Sequence, residues 1–441
     1  MKKTCDSIDI ALGAAKRRFV DRLPKSAAMQ QSSAQVMPGG NTRTVLHYDP
    51  FPIVMTGGRD AMLFDADGNG YIDFIGEYSA GIFGHSNPAI RNAIIGALDK
   101  GLNLTAHNDL EPKLARLIVD RFPSIDLVRF TNSGTEANML ALSLACFATG
   151  RSTILVFKGA YHGGVLTFVG EGSPLNAPYK FILGNYNDTA GTAALIDAHR
   201  DDLAAVLIEP MLGAGGCIPG DSTFLYSIEA GCRDVGALFI LDEVMTSRLS
   251  GSGRQGELGL RPDITTLGKY IGGGSSFGAF GGRGDLMAAF DPRRHDALGH
   301  AGTFNNNVIS MAAGIAGLTQ LYTPEVAIHL TRKGDELRSS LNVLCKEYDA
   351  PLQFSGLGSL MNAHGSRLAL SSYNDLRNSD RRIVDLLFFH LIEDGIYIAP
   401  RGFIALSLAL NDGDMEKLVK SVASFLVLHR STMADAAVIK A

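Results

Sequence analysis

The sequence predicts an α/β protein with a large, mostly parallel β-sheet that is covered by helices on both faces. Between about residues 86 and 323, short and nearly continuous apolar runs alternate with helix-length segments, as is typical of strands buried on both faces. The chain has 441 residues, 46% hydrophobic and 19% charged, which is enough for more than one domain. The pattern changes on either side of this region, and this predicts a small α+β domain built from both chain ends.

The individual elements are predicted from apolar periodicity and turn residues. Residues 6–37 have apolar positions at helical spacing, and 61–74 alternate around Asp67-Gly68-Asn69-Gly70, which favours a β-hairpin. The central strands are predicted at 127–130, 153–157, 204–208, 237–242 and 264–266, with a strong helix at 137–149. After Pro324, helices are predicted at 326–348, 379–394 and 415–429, and strands at 396–399 and 404–408. The predicted division is 1–85 (N-terminal part of the small domain), 86–323 (large domain) and 324–441 (C-terminal part of the small domain).

The composition excludes several classes of function. The net charge is −5, which does not favour a nucleic-acid partner or an anionic membrane surface. The N-terminus lacks the apolar core of a signal peptide, and no segment approaches the roughly 20 apolar residues that span a bilayer. The five cysteines lack metal-type spacing and are interpreted as reduced thiols. We therefore expect a cytoplasmic protein without a bound metal.

Two apolar runs end in groups of opposite charge. Lys269 follows the run 263–268 and precedes a glycine-rich stretch, and Asp242 ends the run 237–241. An amine and a carboxylate, each delivered by a strand tip, form the pair that pyridoxal phosphate chemistry requires. The amine forms a Schiff base with the aldehyde, and the carboxylate keeps the pyridine nitrogen protonated.

A candidate anion site lies at the start of the helix 137–149. Ser133, Gly134 and Thr135 connect a predicted strand to this helix, where free N–H groups and the helix dipole favour a phosphate monoester. The alternative is an ordinary N-cap, a hydroxyl residue followed by Glu136.

Two further strand ends carry candidate cofactor contacts. Tyr161 lies in a glycine-containing turn, where its ring could lie flat on a planar cofactor; the alternative is a surface turn with a buried tyrosine. Glu209 ends the strand 204–208 and could orient cofactor hydroxyls or Asn132, or it could cap a loop. His162, next to Tyr161, is interpreted as structural, because no nucleophile pattern accompanies it.

Four sequence blocks resemble those of the class III (fold type I) pyridoxal-phosphate aminotransferases in sequence and in their order along the chain, and the resemblance covers nearly the whole chain. The blocks are Asn-Ser-Gly-Thr-Glu-Ala at 132–137, Leu-Asp-Glu-Val-Met-Thr at 241–246, Thr-Thr-Leu-Gly-Lys at 265–269 and Gly-Ala-Phe-Gly-Gly-Arg at 278–283. The resemblance implies that Lys269 forms the Schiff base and that Asp242 pairs with the pyridine nitrogen.

The same resemblance implies contacts around the rest of the cofactor. Ser133, Gly134 and Thr135 would hold the phosphate, Tyr161 would stack on one ring face and Val244 would pack on the other. A second phosphate contact, from the neighbouring subunit, matches Thr303, which implies a homodimer with shared active sites. The alternative for Thr303 is a simple helix cap.

Within the class, the blocks at 37–40, 242–246 and around the lysine look like glutamate-1-semialdehyde aminomutase. The likeness is closer to the aromatic β-amino acid (β-phenylalanine) aminotransferases, through the segments 41–46, 303–307 and 399–403. In that subgroup the arginines matching Arg43 and Arg401 bind substrate carboxylates. The alternatives are a loop salt bridge for Arg43 and a solvated turn residue for Arg401.

The expected function is therefore transamination of an aromatic β-amino acid with an α-keto acid, 2-oxoglutarate or pyruvate, by ping-pong kinetics. The alternatives on the same scaffold are a glutamate-1-semialdehyde 2,1-aminomutase, an ω-amine transaminase and an amino-acid racemase. A cofactor-binding regulator, the alternative that is not an enzyme, would need a DNA-binding module, which the sequence does not offer.

Overall fold

The computed structural model describes residues 6–170 and 172–436, so Cys5 and the other residues before position 6 lie outside it. The α-helices are α1 Ser7–Arg22, α2 Pro24–Ser33, α3 Pro88–Leu98, α4 Leu110–Arg121, α5 Gly134–Thr149, α6 Thr189–Ala198, α7 Ser222–Val235, α8 Gly253–Leu258, α9 Gly284–Met287, α10 Val308–Ala316, α11 Pro324–Glu347, α12 Arg381–Glu393, α13 Asp412–Leu428 and α14 Arg430–Ala436. The strands are β1 Met55–Arg59, β2 Met62–Asp65, β3 Gly70–Asp73, β4 Leu127–Thr131, β5 Thr153–Phe157, β6 Lys180–Gly184, β7 Leu203–Ile208, β8 Met211–Leu212, β9 Ile218–Pro219, β10 Leu238–Asp242, β11 Ile264–Gly268, β12 Gly278–Gly282, β13 Gln353–Leu357, β14 Leu360–His364, β15 Ile396–Tyr397 and β16 Phe403–Ala405.

The large sheet has the strand order β4-β12-β11-β10-β7-β5-β6. Its neighbouring strands are parallel except for β12, which pairs antiparallel with β11 and β4. The predicted α/β fold with a mostly parallel sheet is confirmed, and all five predicted central strands are present. The sequence predicted neither β6 nor β12. Because the parallel strands point the same way, their carboxyl ends meet at one edge of the sheet, where ligands bind in such folds.

Both chain ends contribute to the smaller sheets. The predicted hairpin is confirmed as β2 and β3, which pair antiparallel, and β15 from the C-terminal part adds to it parallel to β3. Strands β13, β14 and β16 form a separate antiparallel sheet. This pairing supports the proposal that segments 1–85 and 324–441 form one small domain.

The prediction of a single helix over 6–37 is wrong. The chain forms α1 and α2, which are separated at Leu23, because Pro24 cannot donate the next helical hydrogen bond. Pro24 instead takes the first position of α2, where a missing N–H has no consequence.

No helix within residues 6–170 and 172–436 is both long and apolar enough to span a membrane. In the same ranges, no three His, Cys, Asp or Glu side chains form a group that could hold a metal ion.

Candidate active site

A buried carboxylate lies at the carboxyl end of β10. Asp242 is 3% exposed, and its Oδ2 accepts a hydrogen bond from Asn138 Nδ2 at 2.8 Å and lies 2.7 Å from His162 Nδ1. Its Oδ1 accepts from the backbone N–H of Val244 at 3.0 Å. Thr266 Oγ1 donates to Asn138 Oδ1 at 2.8 Å, which orients the amide group towards Asp242. The carboxylate is therefore held in one orientation by two side chains and a backbone amide.

His162 is a site residue that the sequence analysis missed. The sequence predicts a structural role for it, and its fully buried ring contacts Asp242. Its Nε2 has no hydrogen-bond partner among the described residues. The only signal in the sequence was its position next to Tyr161, because the contact joins positions 80 residues apart.

Lys269 follows β11, the strand that pairs with β10. Its backbone has φ +58°, a left-handed conformation that is uncommon for a side chain of this size, and its Nζ donates to Tyr78 O at 2.7 Å. Burial and then the positive charge of Arg401 lower the pKa of Lys269 to about 8. The Arg43 guanidinium acts in the same direction, and two nearby carboxylates oppose it. The neutral form of this amine is therefore far more abundant near pH 7 than it is for an ordinary lysine.

The amino end of α5 lies next to these two residues. Ser133 Oγ accepts from Glu136 N at 3.2 Å, so the N-cap alternative is present in this structure. The first N–H groups of the helix, at Gly134 and Thr135, have no partner within the helix and remain free to bind an anion. Thr135 Oγ1 accepts from a neighbouring backbone amide at 3.3 Å.

Val244 packs between the start of α5 and the lysine. A Cβ atom at Gly134 would lie 2.9 Å from Val244 Cγ2, and one at Gly268 would lie 3.3 Å from Val244 Cγ1. A Cβ at Gly134 would therefore collide with the valine side chain, whereas one at Gly268 would require a small shift of that side chain. This packing places Val244 within reach of the phosphate-type site and of Lys269.

The side chain of Glu209 contacts the backbone of Tyr161. Tyr161 is 46% exposed, so the alternative of a buried tyrosine is wrong, and its N–H donates to Glu209 Oε2 at 2.9 Å. Glu209 Oε1 accepts from Gly213 N at 3.0 Å. The predicted contact of Glu209 with Asn132 is wrong, because Asn132 Nδ2 donates to Asn305 Oδ1 instead. Burial raises the pKa of Glu209 to about 7.

The two predicted arginines flank one aromatic ring. The guanidinium carbons of Arg43 and Arg401 lie 5.9 Å and 5.4 Å from the centre of the Tyr78 ring. Arg43 Nη1 pairs with Glu77 Oε1 at 2.6 Å, so its salt-bridge alternative is present. Arg401 is partly buried and also lies 5.3 Å from the Phe403 ring, so it is not a solvated turn residue. Its Nε is buried without a hydrogen-bond partner among the described residues.

Thr303 lies in the exposed segment before α10. The N-cap of α10 is Asn307, whose Oδ1 accepts from two backbone amides of the first turn, so the helix-cap alternative for Thr303 is wrong. Phe304, next in the chain, is 59% exposed, and the nearby loop exposes Leu102 at 49% and Leu104 at 43%. Within one chain, Thr303 is therefore part of an open surface with apolar side chains.

Comparisons with known proteins agree on one family. The model of the family "Aminotransferase class-III" matches residues 45–402. The chain is 53% identical over 423 residues to a beta-phenylalanine transaminase of Variovorax paradoxus, which covers 96% of this chain and 97% of the relative. It is 42% identical to an uncharacterized aminotransferase of Schizosaccharomyces pombe, over 98% of both chains.

Two solved structures have the same fold over almost their full length. A beta-phenylalanine aminotransferase from Variovorax paradoxus superposes with a TM-score of 0.95 at 53% identity, covering 96% of this chain and 98% of the other. An omega-transaminase from Sphaerobacter thermophilus superposes with a TM-score of 0.86 at 36% identity, covering 92% and 99%.

Proposed function

The chain belongs to the class III aminotransferases, which are pyridoxal-phosphate enzymes, and we propose that it transfers the amino group of an aromatic β-amino acid, such as β-phenylalanine, to an α-keto acid. One observation carries the choice of substrate: Arg43 and Arg401 flank the Tyr78 ring, and the carbonyl of that residue holds Lys269. The identity of 53% to a relative named beta-phenylalanine transaminase supports the same choice.

The residues present fit pyridoxal phosphate. The cofactor has an aldehyde, a pyridine nitrogen and a phosphate. The site offers a partner for each of them: an amine that forms no ion pair with any described residue, a buried carboxylate and the amino end of a helix. We propose that Lys269 binds the aldehyde, that Asp242 faces the ring nitrogen, and that Ser133, Gly134 and Thr135 hold the phosphate. When bound, the cofactor supplies an electron sink for charge on the substrate carbon that bears nitrogen.

The other side chains near the ring have separate roles in this proposal. Tyr161 stacks on one face of the ring and Val244 packs on the other. Glu209 fixes the backbone of Tyr161, because its carboxylate accepts from that N–H group. Asn138 and His162 keep Asp242 oriented and shield it from water.

Lys269 then acts as the base that removes the proton from the substrate carbon bearing nitrogen. A general base works best when its pKa is close to the working pH, and burial has lowered the pKa of this amine to about 8. The fixed negative charge of Asp242 needs no reorganisation during the reaction, because its hydrogen bonds are already made.

Two arginines suit an enzyme that must bind carboxylates at two different distances from the reacting carbon. In a β-amino acid the amine lies one carbon further from the carboxylate than in an α-amino acid. Donor and acceptor must both bring the reacting carbon to the same point, so their carboxylates end in different places. We propose that Arg43 and Arg401 serve these two places, since guanidinium groups bind carboxylates through paired hydrogen bonds.

We propose further that the enzyme is a cytoplasmic homodimer in which Thr303 of one subunit contacts the phosphate in the other. The exposed apolar surface around Phe304, Leu102 and Leu104 supports this arrangement, because such patches mark interfaces. Free cysteines in the described part of the chain support a reducing compartment. Light scattering of the wild-type enzyme tests whether it is a dimer. Thr303→Ala should weaken cofactor retention, and the variant should still have the molecular mass of a dimer.

A donor screen tests the substrate. β-Phenylalanine, aliphatic β-amino acids, α-phenylalanine and 1-phenylethylamine are each offered with 2-oxoglutarate and with pyruvate. We expect the aromatic β-amino acid to have the highest kcat/KM, with the parallel double-reciprocal lines of ping-pong kinetics. Equal rates with 1-phenylethylamine, which has no carboxylate, would contradict the proposal in favour of an ω-amine transaminase. Turnover without any keto acid would indicate an aminomutase or a racemase.

A further inference from the structure

The two arginines of the site differ in what they contact. Arg43 Nη1 is 2.6 Å from Glu77 Oε1, and the two side chains are 46% and 57% exposed. No carboxylate in residues 6–170 or 172–436 forms an ion pair with Arg401, and its Nε is buried without a partner there. One guanidinium group is therefore open to an incoming carboxylate, whereas the other already holds one.

The segment that presents Glu77 has an unusual backbone. Gly76 and three non-glycine residues after it are left-handed, with φ +47° at Glu77, +52° at Tyr78 and +78° at Ser79. A left-handed backbone is unfavourable for non-glycine residues, so the surrounding structure must hold the segment. Strain of this kind is concentrated at active sites and ligand clamps.

Hydrogen bonds with three side chains hold this segment. Asp73 Oδ1 accepts from the backbone N–H of Gly76 at 3.1 Å, and the fully buried Arg248 donates to Ser79 O at 3.3 Å. Lys269 donates to Tyr78 O at 2.7 Å. The position of the Glu77 backbone is thus fixed by the core, while its side chain remains at the surface of the site.

We propose that Glu77 is a built-in competitor for substrate: its carboxylate occupies Arg43 in the free enzyme and is displaced by the substrate carboxylate. Glu77 would then be a specificity-determining residue. The inference rests on the proposed function, because it needs Arg43 to bind substrate. An ion pair with both side chains this exposed is weak, so a carboxylate held also by its aromatic group or by Arg401 can displace it.

The arrangement has a consequence for which ligands bind well. A monocarboxylate that uses only Arg401 meets no competitor. A ligand whose carboxylate needs Arg43 must first release Glu77, which then stands as a negative charge beside the site. Glu77 therefore lowers the affinity of every ligand whose carboxylate needs Arg43, and it does not affect ligands that use Arg401 alone.

Calorimetric titration of the holoenzyme with 3-phenylpropanoate, a β-phenylalanine analogue without the amine, tests the inference. The variants are Glu77→Gln, Glu77→Asn, Arg43→Ala and, as a matched control, Glu393→Gln, which removes the carboxylate of an ion pair with Arg18. Asparagine is included because it tolerates a left-handed backbone and is too short to keep the contact.

We expect both Glu77 variants to bind 3-phenylpropanoate about two- to fivefold more tightly, the size expected for an exposed ion pair. Arg43→Ala should bind about tenfold more weakly, and Glu393→Gln should bind like the wild type. Unchanged or weaker binding by both Glu77 variants, with Arg43→Ala still weakened, would overturn the inference alone and show that Glu77 only positions Arg43. Unchanged binding by Arg43→Ala would overturn the proposed role of Arg43 as well.

Discussion

The low pKa of Lys269 leads to a prediction about how fast the apoprotein takes up its cofactor. The neutral amine attacks the aldehyde, so the rate should follow the neutral fraction. With a pKa of about 8, roughly one amine in eleven is neutral at pH 7, against about one in 3,000 for an ordinary lysine. The structure therefore predicts a neutral fraction at pH 7 about 300-fold larger than that of an exposed lysine, and faster covalent attachment at equal access.

The assay follows the visible absorbance of lysine-bound pyridoxal phosphate after mixing apoprotein with excess cofactor, from pH 6 to pH 10. The rate constant should rise about tenfold per pH unit at first and level off above about pH 8. In Arg401→Ala the plateau should begin at a higher pH, because the arginine cation is the second cause of the lowered pKa.

Unphosphorylated pyridoxal serves as the control that separates titration of the phosphate from titration of the amine. Lys269→Ala identifies absorbance that does not depend on this residue and should show neither the band nor turnover. A wild-type rate that still climbs steeply between pH 9 and pH 10 would refute the reasoning, because it would mean an unperturbed amine.

Three other substitutions test the site. Asp242→Asn keeps the shape and removes the charge, and we expect kcat to fall about 100- to 1,000-fold in a steady-state assay, with the melting temperature little changed. Gly134→Ala should loosen the cofactor, measured by dialysis, because the new Cβ would lie 2.9 Å from Val244 Cγ2; Gly164→Ala, with nothing within 4 Å, is its control. Arg43→Ala should raise the KM of β-phenylalanine about 10- to 100-fold, more than it lowers kcat.

The sequence predicted the strands that carry the catalytic pair because strands buried on both faces leave continuous apolar runs. It did not predict β12, whose sequence Gly-Ala-Phe-Gly-Gly has little intrinsic preference for a strand. The strand exists because its glycines allow close approach: a Cβ at Gly278 would lie 2.1 Å from Ser133 O. A contact with a residue so distant in the chain has no local signal.

The missed site residues have the same physical explanation. Asn138 is an ordinary helix residue in the sequence, and only the fold brings its amide to Asp242, 104 positions away. Glu77 and Tyr78 lie in a segment whose left-handed backbone is imposed by contacts with Lys269 and Arg248, because neither residue type favours that conformation. Lys269, in contrast, is predicted from its place at the end of an apolar run, whereas Arg43 is predicted only through the resemblance of segment 41–46 to a known subgroup.

The geometry joins substrate recognition to the chemistry of the lysine. Arg401 and Arg43 are the groups proposed to bind carboxylates, and they are also the cations that help to keep the pKa of Lys269 low. A substrate carboxylate on these arginines neutralises part of their charge, so it should make the amine a stronger base when a proton has to be removed. Glu77 already places a negative charge near the lysine in the free enzyme, since its carboxylate raises the pKa of Lys269. A substrate carboxylate that displaces Glu77 from Arg43 adds its negative charge to that of Glu77, which stays beside the site, so the amine should be a stronger base in the complex than in the free enzyme.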